Sequence, residues 1–224
     1  MAGIGTLKES SLHFAIKKWY RQDGDLLEQK YGVYTLDIQR GELIIEVQTG
    51  NFSKLRDKLA ALLPDHPIKV VYPIPVIKWI SRRDVFGELS VSRRRSPQKN
   101  DLFSLFNELV YLRAFLSATN LSLEVLLIEQ EDTWIDDSKG SWRRKHWSIY
   151  DRQLVAVYRR VLFANFDDYR ALLPAELDHF SSRELSEQLG IPPQLARKML
   201  YCLAPMGIIR VVEVKNRRRY YSRI

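Results

Sequence analysis

The order of hydrophobic and polar positions in the N-terminal third of the chain predicts a helix, three strands, a helix and a strand. Leu7–Tyr20 carries one apolar stripe at helical spacing. A second helical stripe begins at Phe52 and is stopped by Pro64, before an apolar strand at Ile68–Tyr72. Three short apolar runs lie between the two helices and predict strands over Leu26–Lys30, Val33–Ile38 and Glu42–Gln48.

The middle of the chain predicts an extension of this sheet. Val76–Arg95 has the alternation of a hairpin around Gly87, and it ends in basic residues. A helix is predicted at Leu102–Leu116 and an apolar strand at Leu121–Gln130. These elements are expected to extend the sheet and to shield its core.

The C-terminal part predicts helices followed by a short hairpin. A helix is predicted at Asp151–Phe163, and Ser182 is the candidate N-cap of the next one. Two helices and two strands then follow, at Arg183–Leu189, from Pro192 or Pro193 to about Leu203, at Ile208–Lys215 and at Arg218–Ser222.

Composition excludes several classes of protein. Of the 224 residues, 46% are hydrophobic and 28% are charged, which is enough for one sizeable core or two modest ones and excludes a disordered or fibrous chain. No apolar run approaches the ~20 residues of a membrane span, and the N-terminus lacks a secretion-signal pattern. Cys202 is the single cysteine, so no intramolecular disulfide forms. A cytoplasmic protein without membrane contact is expected.

The charge is divided unevenly and indicates two domains. Residues 1–138 have a net charge of −1, whereas residues 139–224 have 17 Lys and Arg against 8 Asp and Glu, a net charge of +9. We therefore expect domains at 1–138 and 139–224. A basic domain favours an acidic polymer as partner, because neutralised phosphates release condensed counterions.

Two acids interrupt the predicted hairpin of the second and third strands. If Arg40-Gly41 forms the turn, Asp37 faces Ile44 and becomes the diagonal neighbour of Glu46 on one face, roughly 7 Å away at Cβ. Two such carboxylates can bridge one Mg²⁺, which keeps waters and accepts phosphate oxygens. A solvated strand face is the alternative that the residues leave open.

The placement of these acids resembles the core of the PD-(D/E)XK nuclease superfamily over residues 6–73. Asp37 and the triplet Glu46-Val47-Gln48 stand on the second and third strands of the predicted helix-strand-strand-strand-helix-strand unit. The resemblance implies an α/β fold with a mixed sheet, in which Asp37 and Glu46 bind Mg²⁺ or Mn²⁺. Gln48 replaces the usual Lys and would orient the attacking water. Glu9 takes the place of a further catalytic acid, although it also fits a helix-capping role.

The C-terminal elements resemble a winged helix-turn-helix domain over residues 150–224. The resemblance implies contacts with DNA from the second helix and from the wing. The linker before this domain interleaves Trp with cations, as nucleic-acid surfaces do, or else anchors a domain interface. The residues expected to bind nucleic acid are Trp142, Arg143, Arg144, Lys145, Gln194, Arg197, Lys198, Arg217, Arg218 and Arg219.

Together the two resemblances imply a magnesium-dependent endonuclease, a hydrolase that cleaves phosphodiester bonds of DNA. The alternative is a catalytically silent nuclease fold that binds DNA or regulates another protein, and RNA is a third candidate substrate. No P-loop motif is present, so no nucleotide cofactor is expected. By family analogy a homodimer is a candidate assembly, since double-strand cleavage by such cores usually uses two active sites.

Overall fold

A large mixed sheet with helices on both faces forms the body of the protein, and a smaller three-stranded sheet follows it. The architecture is seen in a computed structural model, which describes residues 10–83 and 89–224, without the side chains of residues 89–92 and Arg143. The class is α/β, as predicted.

The helices and strands have the following bounds. The helices are α1 (Ser11–Tyr20), α2 (Arg56–Leu62), α3 (Phe106–Leu109), α4 (Phe166–Arg170), α5 (Ser182–Leu189) and α6 (Pro193–Leu203). The strands are β1 (Leu26–Tyr31), β2 (Tyr34–Arg40), β3 (Leu43–Val47), β4 (Ile68–Arg83), β5 (Leu89–Arg95), β6 (Leu121–Ile135), β7 (Ser148–Phe163), β8 (His179–Ser181), β9 (Ile209–Lys215) and β10 (Arg218–Arg223). Short 3₁₀ turns cover Phe52–Leu55, Leu102–Leu105, Val110–Phe115 and Trp142–Arg144.

The large sheet has the strand order β1-β2-β3-β4-β6-β7, and β5 also pairs with β4. Strands β3, β4 and β6 run parallel, and the remaining pairs are antiparallel. The small sheet has the order β8-β10-β9. The predicted order of helix, three strands, helix and strand in the N-terminal third is therefore confirmed.

Strands β4 and β6 are far longer than the sequence patterns predict. They pair with each other from Ile68 and Leu121 to Arg83 and Ile135, with an irregularity between Pro75 and Ile77. Prolines lack a backbone N–H donor and are therefore uncommon inside the central strands of a sheet. The pairing with β6 carries β4 past Pro73 and Pro75, so the sheet extends well beyond its helix-covered part.

The predicted helix at Asp151–Phe163 is wrong, because residues 148–163 form strand β7. This segment pairs with β6 along almost its whole length, and β-branched residues such as Val157 and Val161 suit a strand. The large sheet consequently continues to Phe163. Strand β7, which lies beyond the predicted boundary at residue 139, therefore pairs within the first sheet.

The predicted register of the β2–β3 hairpin is also wrong. Arg40 pairs with Leu43 and Ile38 with Ile45, so the two turn residues are Gly41 and Glu42. Gly41 has φ of 57°, a conformation that glycine adopts without steric cost, and it takes the first turn position. The shift brings Asp37 opposite Glu46 instead of beside it on the diagonal.

Two clusters of buried side chains lie on opposite faces of the sheet. One joins α1 to β2, β3 and β6, and the other joins α2 and α3 to the opposite face. Helix α1 begins at the N-cap Ser10, whose side chain accepts from the His13 N–H. The acid Glu9 and the turn at Gly87 lie outside the described residues.

A buried carboxylate on β6 holds the C-terminal end of α1. Glu124 accepts hydrogen bonds from Tyr20 Oη and Arg160 Nε, each 2.5 Å long. A buried charge is tolerated when it is paired and hydrogen-bonded in this way. The anchor keeps α1, and with it His13, in a defined position over the sheet.

The C-terminal helices and strands pack against the body rather than standing apart. Apart from the helix predicted at 151–163, the predicted helices and strands of this part are confirmed, within a residue or two at their ends. Met199 and Leu203 of α6 belong to the same buried cluster as Phe106 and Leu109 of α3. Within the described residues, no helix is long and apolar enough to cross a membrane.

Candidate active site

The two predicted acids meet where β2 and β3 stop pairing. The last paired residues are Ile38 and Ile45, and beyond them side chains replace the backbone ladder. The Asp37 N–H donates to Glu46 Oε1 over 3.4 Å, and the Val47 N–H donates to Asp37 Oδ2 over 2.9 Å. We call Asp37 and Glu46 the acid pair.

The acid pair lies at a break in the alternation of β2. Leu36 packs into the buried cluster on the α2 side, whereas Ile38 packs into the cluster on the α1 side. Residues two apart in a regular strand share a face. The irregularity between them lies at Asp37, and it lets this carboxylate reach α1 while Glu46 reaches α2.

Lys58 of α2 is a cation in direct contact with the acid pair. Its Nζ donates to Glu46 Oε2 and to the Thr35 carbonyl, both over 2.5 Å. The sequence interpretation overlooked this lysine. A signal was present, because Lys58 occupies a position on the apolar stripe of Leu55, Leu59 and Leu62, where a cation has to find a buried partner.

Glu46 has a carboxyl group that takes up a proton near neutrality. Only 4% of the surface of Glu46 is exposed to solvent. Burial, reinforced by the negative charge of Asp37, raises the pKa of Glu46 to about 7, and Lys58 offsets part of that effect. A carboxyl group with this pKa changes charge in the range where proton and metal binding compete.

Asp37 stays ionised because its partners outweigh its burial. Burial acts to raise the pKa of Asp37, but the hydrogen bond and charge of His13, the Val47 N–H and the charge of Lys58 hold it below its ordinary value. His13 Nε2 lies 3.3 Å from Asp37 Oδ2 and 2.8 Å from the Val47 carbonyl oxygen. Since the carbonyl only accepts, this nitrogen carries a proton in the described arrangement.

Gln48 does not face the acid pair in this structure. Its Nε2 donates to the carbonyls of Gly50 over 2.5 Å and Asn51 over 3.2 Å. The side chain is therefore used to hold the loop that leads into α2. The cation beside Glu46 comes from Lys58 on the helix, and the strand position of Gln48 supplies none.

The carboxylate oxygens of the acid pair are ligands that fit a hard cation held by few protein groups. Among the described residues, no group of three or more His, Cys, Asp or Glu is arranged to hold a metal ion. The charges of Asp37 and Glu46 interact, although Asp37 contacts His13 of α1 and Glu46 contacts Lys58 of α2. Mg²⁺ is commonly held by one or two carboxylates together with waters and phosphate oxygens, so these residues fit it.

The predicted linker residues lie far along the sheet, on the connection between β6 and β7. Trp142 is 75% exposed, and Lys145 is exposed. Arg144 Nε donates to the Trp147 carbonyl over 3.1 Å and so stabilises this connection. The side chain of Arg143 lies outside the described part of the chain.

The residues predicted on α6 are only partly free for a ligand. Gln194 and Arg197 are exposed, whereas Lys198 Nζ donates to Asn107 Oδ1 of α3 over 2.8 Å. Tyr201 is exposed and lies under the Arg113 guanidinium, 4.6 Å from the ring centroid. One stripe of α6 therefore faces solvent, and Lys198 instead joins the helix to the body.

A basic groove of about 890 Å³ lies between α5, α6 and the β9–β10 hairpin. The predicted wing residues Arg217, Arg218 and Arg219 are exposed and border it, together with Arg197. The groove also includes Arg113 from the body of the protein, which the sequence did not indicate. The structure thus brings α6 and the wing to one surface, away from the acid pair's strands.

A family of protein domains matches most of this chain. The family described as "Domain of unknown function (DUF8091)" matches residues 10–164. The chain belongs to the DUF8091 family. The DUF8091 region begins at the cap of α1 and ends one residue after β7, so it includes the whole large sheet and the acid pair.

A relative of this DUF8091 protein is found in Treponema pallidum (strain Nichols), under the name "Uncharacterized protein". It is 32% identical over 163 residues, which cover 72% of this chain and 64% of the relative. The match therefore spans somewhat less than two thirds of the relative's length. No solved structure gives a significant match to the chain.

Proposed function

We propose that this DUF8091 protein is a metal-dependent endonuclease that hydrolyses phosphodiester bonds of DNA, with Asp37 and Glu46 as its metal-binding acids. The observation that carries the proposal is the buried Glu46, which shares a site with an ionised Asp37 and is paired with Lys58. Burying two acids together costs free energy, so an arrangement of this kind favours a functional site.

The arrangement of elements around the acids also supports a nuclease core of the PD-(D/E)XK type. The acids stand on β2 and β3, between α1 and α2, and β3 runs parallel to β4. The C-terminal α5, α6, β9 and β10 have the order of a winged helix, which would hold the DNA. A protein with a single buried cysteine, Cys202, also suits the reducing cytoplasm.

Each residue of the site has a defined part in the proposed reaction. Asp37 and Glu46 would hold Mg²⁺ or Mn²⁺, which when bound supplies an activated water and offsets charge on phosphate oxygens. Lys58 would keep Glu46 ionised and place a positive charge beside the reacting phosphate. His13 orients the Asp37 carboxylate through its contact with Oδ2.

Lys58 supplies the positive charge that Gln48 lacks. An amide cannot supply positive charge to a transition state, so Gln48 alone would argue for a decayed site. The Lys58 Nζ lies 2.5 Å from Glu46 Oε2 and reaches the site from α2 instead. In this proposal the cation is retained at the site, although its place in the sequence differs from the usual one.

Mn²⁺ should bind the pure protein, and Asp37→Ala should abolish that binding in isothermal titration calorimetry. Affinity should weaken as the pH falls below about 7, where Glu46 takes up its proton, by up to roughly tenfold per pH unit. Above that pH the affinity should level off, because both carboxylates are then ionised.

Glu42→Ala is the matched control, since this acid is exposed at the turn of the same hairpin. It should leave Mn²⁺ binding unchanged. Equal binding by wild type and Asp37→Ala would contradict the metal site.

The wing should contribute to DNA affinity through phosphate contacts. Replacing Arg217, Arg218 and Arg219 with Ala should weaken DNA binding by roughly 1 kcal/mol or more and flatten its dependence on salt, because up to about three counterion-releasing contacts are lost. A fluorescence titration at several salt concentrations measures both quantities. An unchanged salt slope would assign the wing to some other contact.

A second candidate function is a DNA-binding or regulatory protein whose nuclease fold is catalytically silent. The observation that favours it is the commitment of Gln48 to the Gly50 and Asn51 carbonyls, away from the acids. RNA remains the alternative substrate in either case. Cleavage assays on both nucleic acids separate these candidates from the leading one.

A further inference from the structure

The long strands of the large sheet continue beyond the part that the helices cover. The two buried clusters reach Ile74 on β4 and Ile128 on β6, whereas the strands run on to Arg83 and Ile135. We call this extension the arm, and it consists of residues 76–83, 89–95, 129–135 and 148–155.

One face of the arm is defined by the strand register. Ile80 lies opposite both Arg94 and Asp132, and Asp132 lies opposite Arg152. Residues directly opposite each other in a sheet share a face. The same reasoning places Arg82 with Trp134 and Lys78 with Gln130. We call this side, which is also the α1 side of the sheet, the arm face.

Cations and aromatic rings alternate on the arm face. The Arg82 guanidinium lies 4.8 Å from the ring centroid of Trp147, and that of Arg94 lies 6.0 Å from the ring of Trp134. An arginine that lies over an aromatic ring keeps its charge and can present the other face of its guanidinium to a ligand. Such planes are surfaces on which bases stack and to which phosphates bind.

The arm face has more positive than negative charge. Asp132 is buried, and its carboxylate forms ion pairs with Lys78 Nζ at 3.2 Å and with Arg152 Nε at 3.9 Å. Among the described residues, Arg82 and Arg94 contact tryptophan rings and no carboxylate. The charge of these two arginines is therefore available to a ligand with negative groups.

A polar cleft of about 530 Å³ runs from the arm face to the loop that follows β3, the strand of Glu46. Lys78 and Arg152 belong to both the cleft and the arm face, and the described lining includes no acidic residue. At its other end the cleft is bounded by Gly50 and Asn51, which hold the Gln48 side chain, and by Leu12, the neighbour of His13. The remaining polar lining comes from Gln98, Asn100, Ser104 and Asn107.

We propose that the polar cleft and the arm face bind a single strand of DNA and lead its backbone to the acid pair. Stacking planes next to cations suit unpaired bases, because these expose their π faces while their phosphates lie alongside. The approach to the acid pair rests on the proposed function, whereas strand binding does not.

The test is a fluorescence anisotropy titration of a labelled oligothymidine about 20 nucleotides long, in metal-free buffer at low salt. The double variant Arg82→Ala/Arg94→Ala should raise its Kd by at least about tenfold, because two stacking cations are lost. The Kd for a duplex of the same length should change by less than about threefold. Lys18→Ala/Arg159→Ala is the control, and this loss of two exposed charges elsewhere should have little effect.

Two results would overturn the proposal. Unchanged affinity of the double variant for the single strand would exclude the arm face as the binding surface. An equal loss for single strand and duplex would assign the face to duplex DNA. Arg94→Glu, at an exposed strand position, repeats the measurement with a reversed charge if circular dichroism shows a folding defect in the double variant.

The same titration separates this proposal from the proposed nuclease activity. In metal-free buffer, Asp37→Ala should bind the oligothymidine as tightly as wild type or slightly more tightly, because the change removes an acid that repels phosphate. If wild type cleaves no substrate and the arm variant still loses single-strand binding, the nuclease proposal fails and strand binding stands. If wild type cleaves DNA and the arm variant binds the single strand normally, the proposal of strand binding by the arm face fails and the nuclease proposal stands.

Discussion

Asp37→Ala and Glu46→Ala should each reduce nicking of supercoiled plasmid in Mg²⁺ or Mn²⁺ to background. In the proposed reaction, either change removes one of the two carboxylates that the described residues supply, so the ion that would activate water is no longer held. DNA affinity in metal-free buffer should stay nearly unchanged or rise slightly, because an acid that repels phosphate is lost. Supercoiled-plasmid and branched-DNA nicking assays, run beside an anisotropy titration, measure both effects.

Glu42→Ala again provides the matched control and should nick DNA at the wild-type rate. The catalytic proposal should give way to the DNA-binding one if wild type is inactive on all substrates with both metals and Gln48→Lys is inactive too. Activity that survives in Asp37→Ala would place the reaction elsewhere in the protein.

Lys58→Met should lower the cleavage rate by roughly tenfold to a thousandfold, the range found when a single charge-stabilising donor is removed. It should also move the pH profile of cleavage to higher pH, because Lys58 is a cation that lowers the pKa of Glu46. Glu46 would then give up its proton at a higher pH than in wild type. A loss of rate without this shift would mean that Lys58 acts on the substrate alone.

Gln48→Lys provides a rescue of the same variant. In the Lys58→Met background it returns a cation to the strand position, and part of the lost rate should come back. In wild type it should retain or increase activity, provided that it leaves the metal in place. Lys54→Met, at an exposed position just before α2, is the control and should have no effect on either quantity. Full activity of Lys58→Met would contradict the role of Lys58.

The elements that were predicted correctly are those whose signals are local. The stripe of α1, the strands β1 to β3 and the pair of helices α5 and α6 each have apolar spacing, caps or glycine turns within their own residues. Periodicity alone did not identify β7, since its short apolar runs fit a helix as well as a strand. Pairing with β6 decided between them, and that pairing joins residues distant in sequence.

Only part of the candidate site could likewise be predicted from local features of the sequence. Asp37 and Glu46 could be found from the sequence because two acids in apolar strands, separated by a turn, are conspicuous. Their relative positions could not be predicted from the sequence. The turn at Gly41 gives the hairpin a different register from the predicted one, and an irregularity at Asp37 directs its side chain toward α1. Lys58 and His13 became partners of the acids only when both helices packed on the sheet.

The sequence by itself determined the local elements, the uneven charge and the two acids, because each depends on neighbouring residues or on composition. The tertiary structure alone decided the length of β4 and β6, the strand state of β7 and the cations that meet Glu46 and Asp37. It also aligned Arg82, Arg94 and their tryptophans on one face. The physical reason is that strand pairing and the burial of charge join residues far apart in the chain, and their free energies depend on partners that no local window contains.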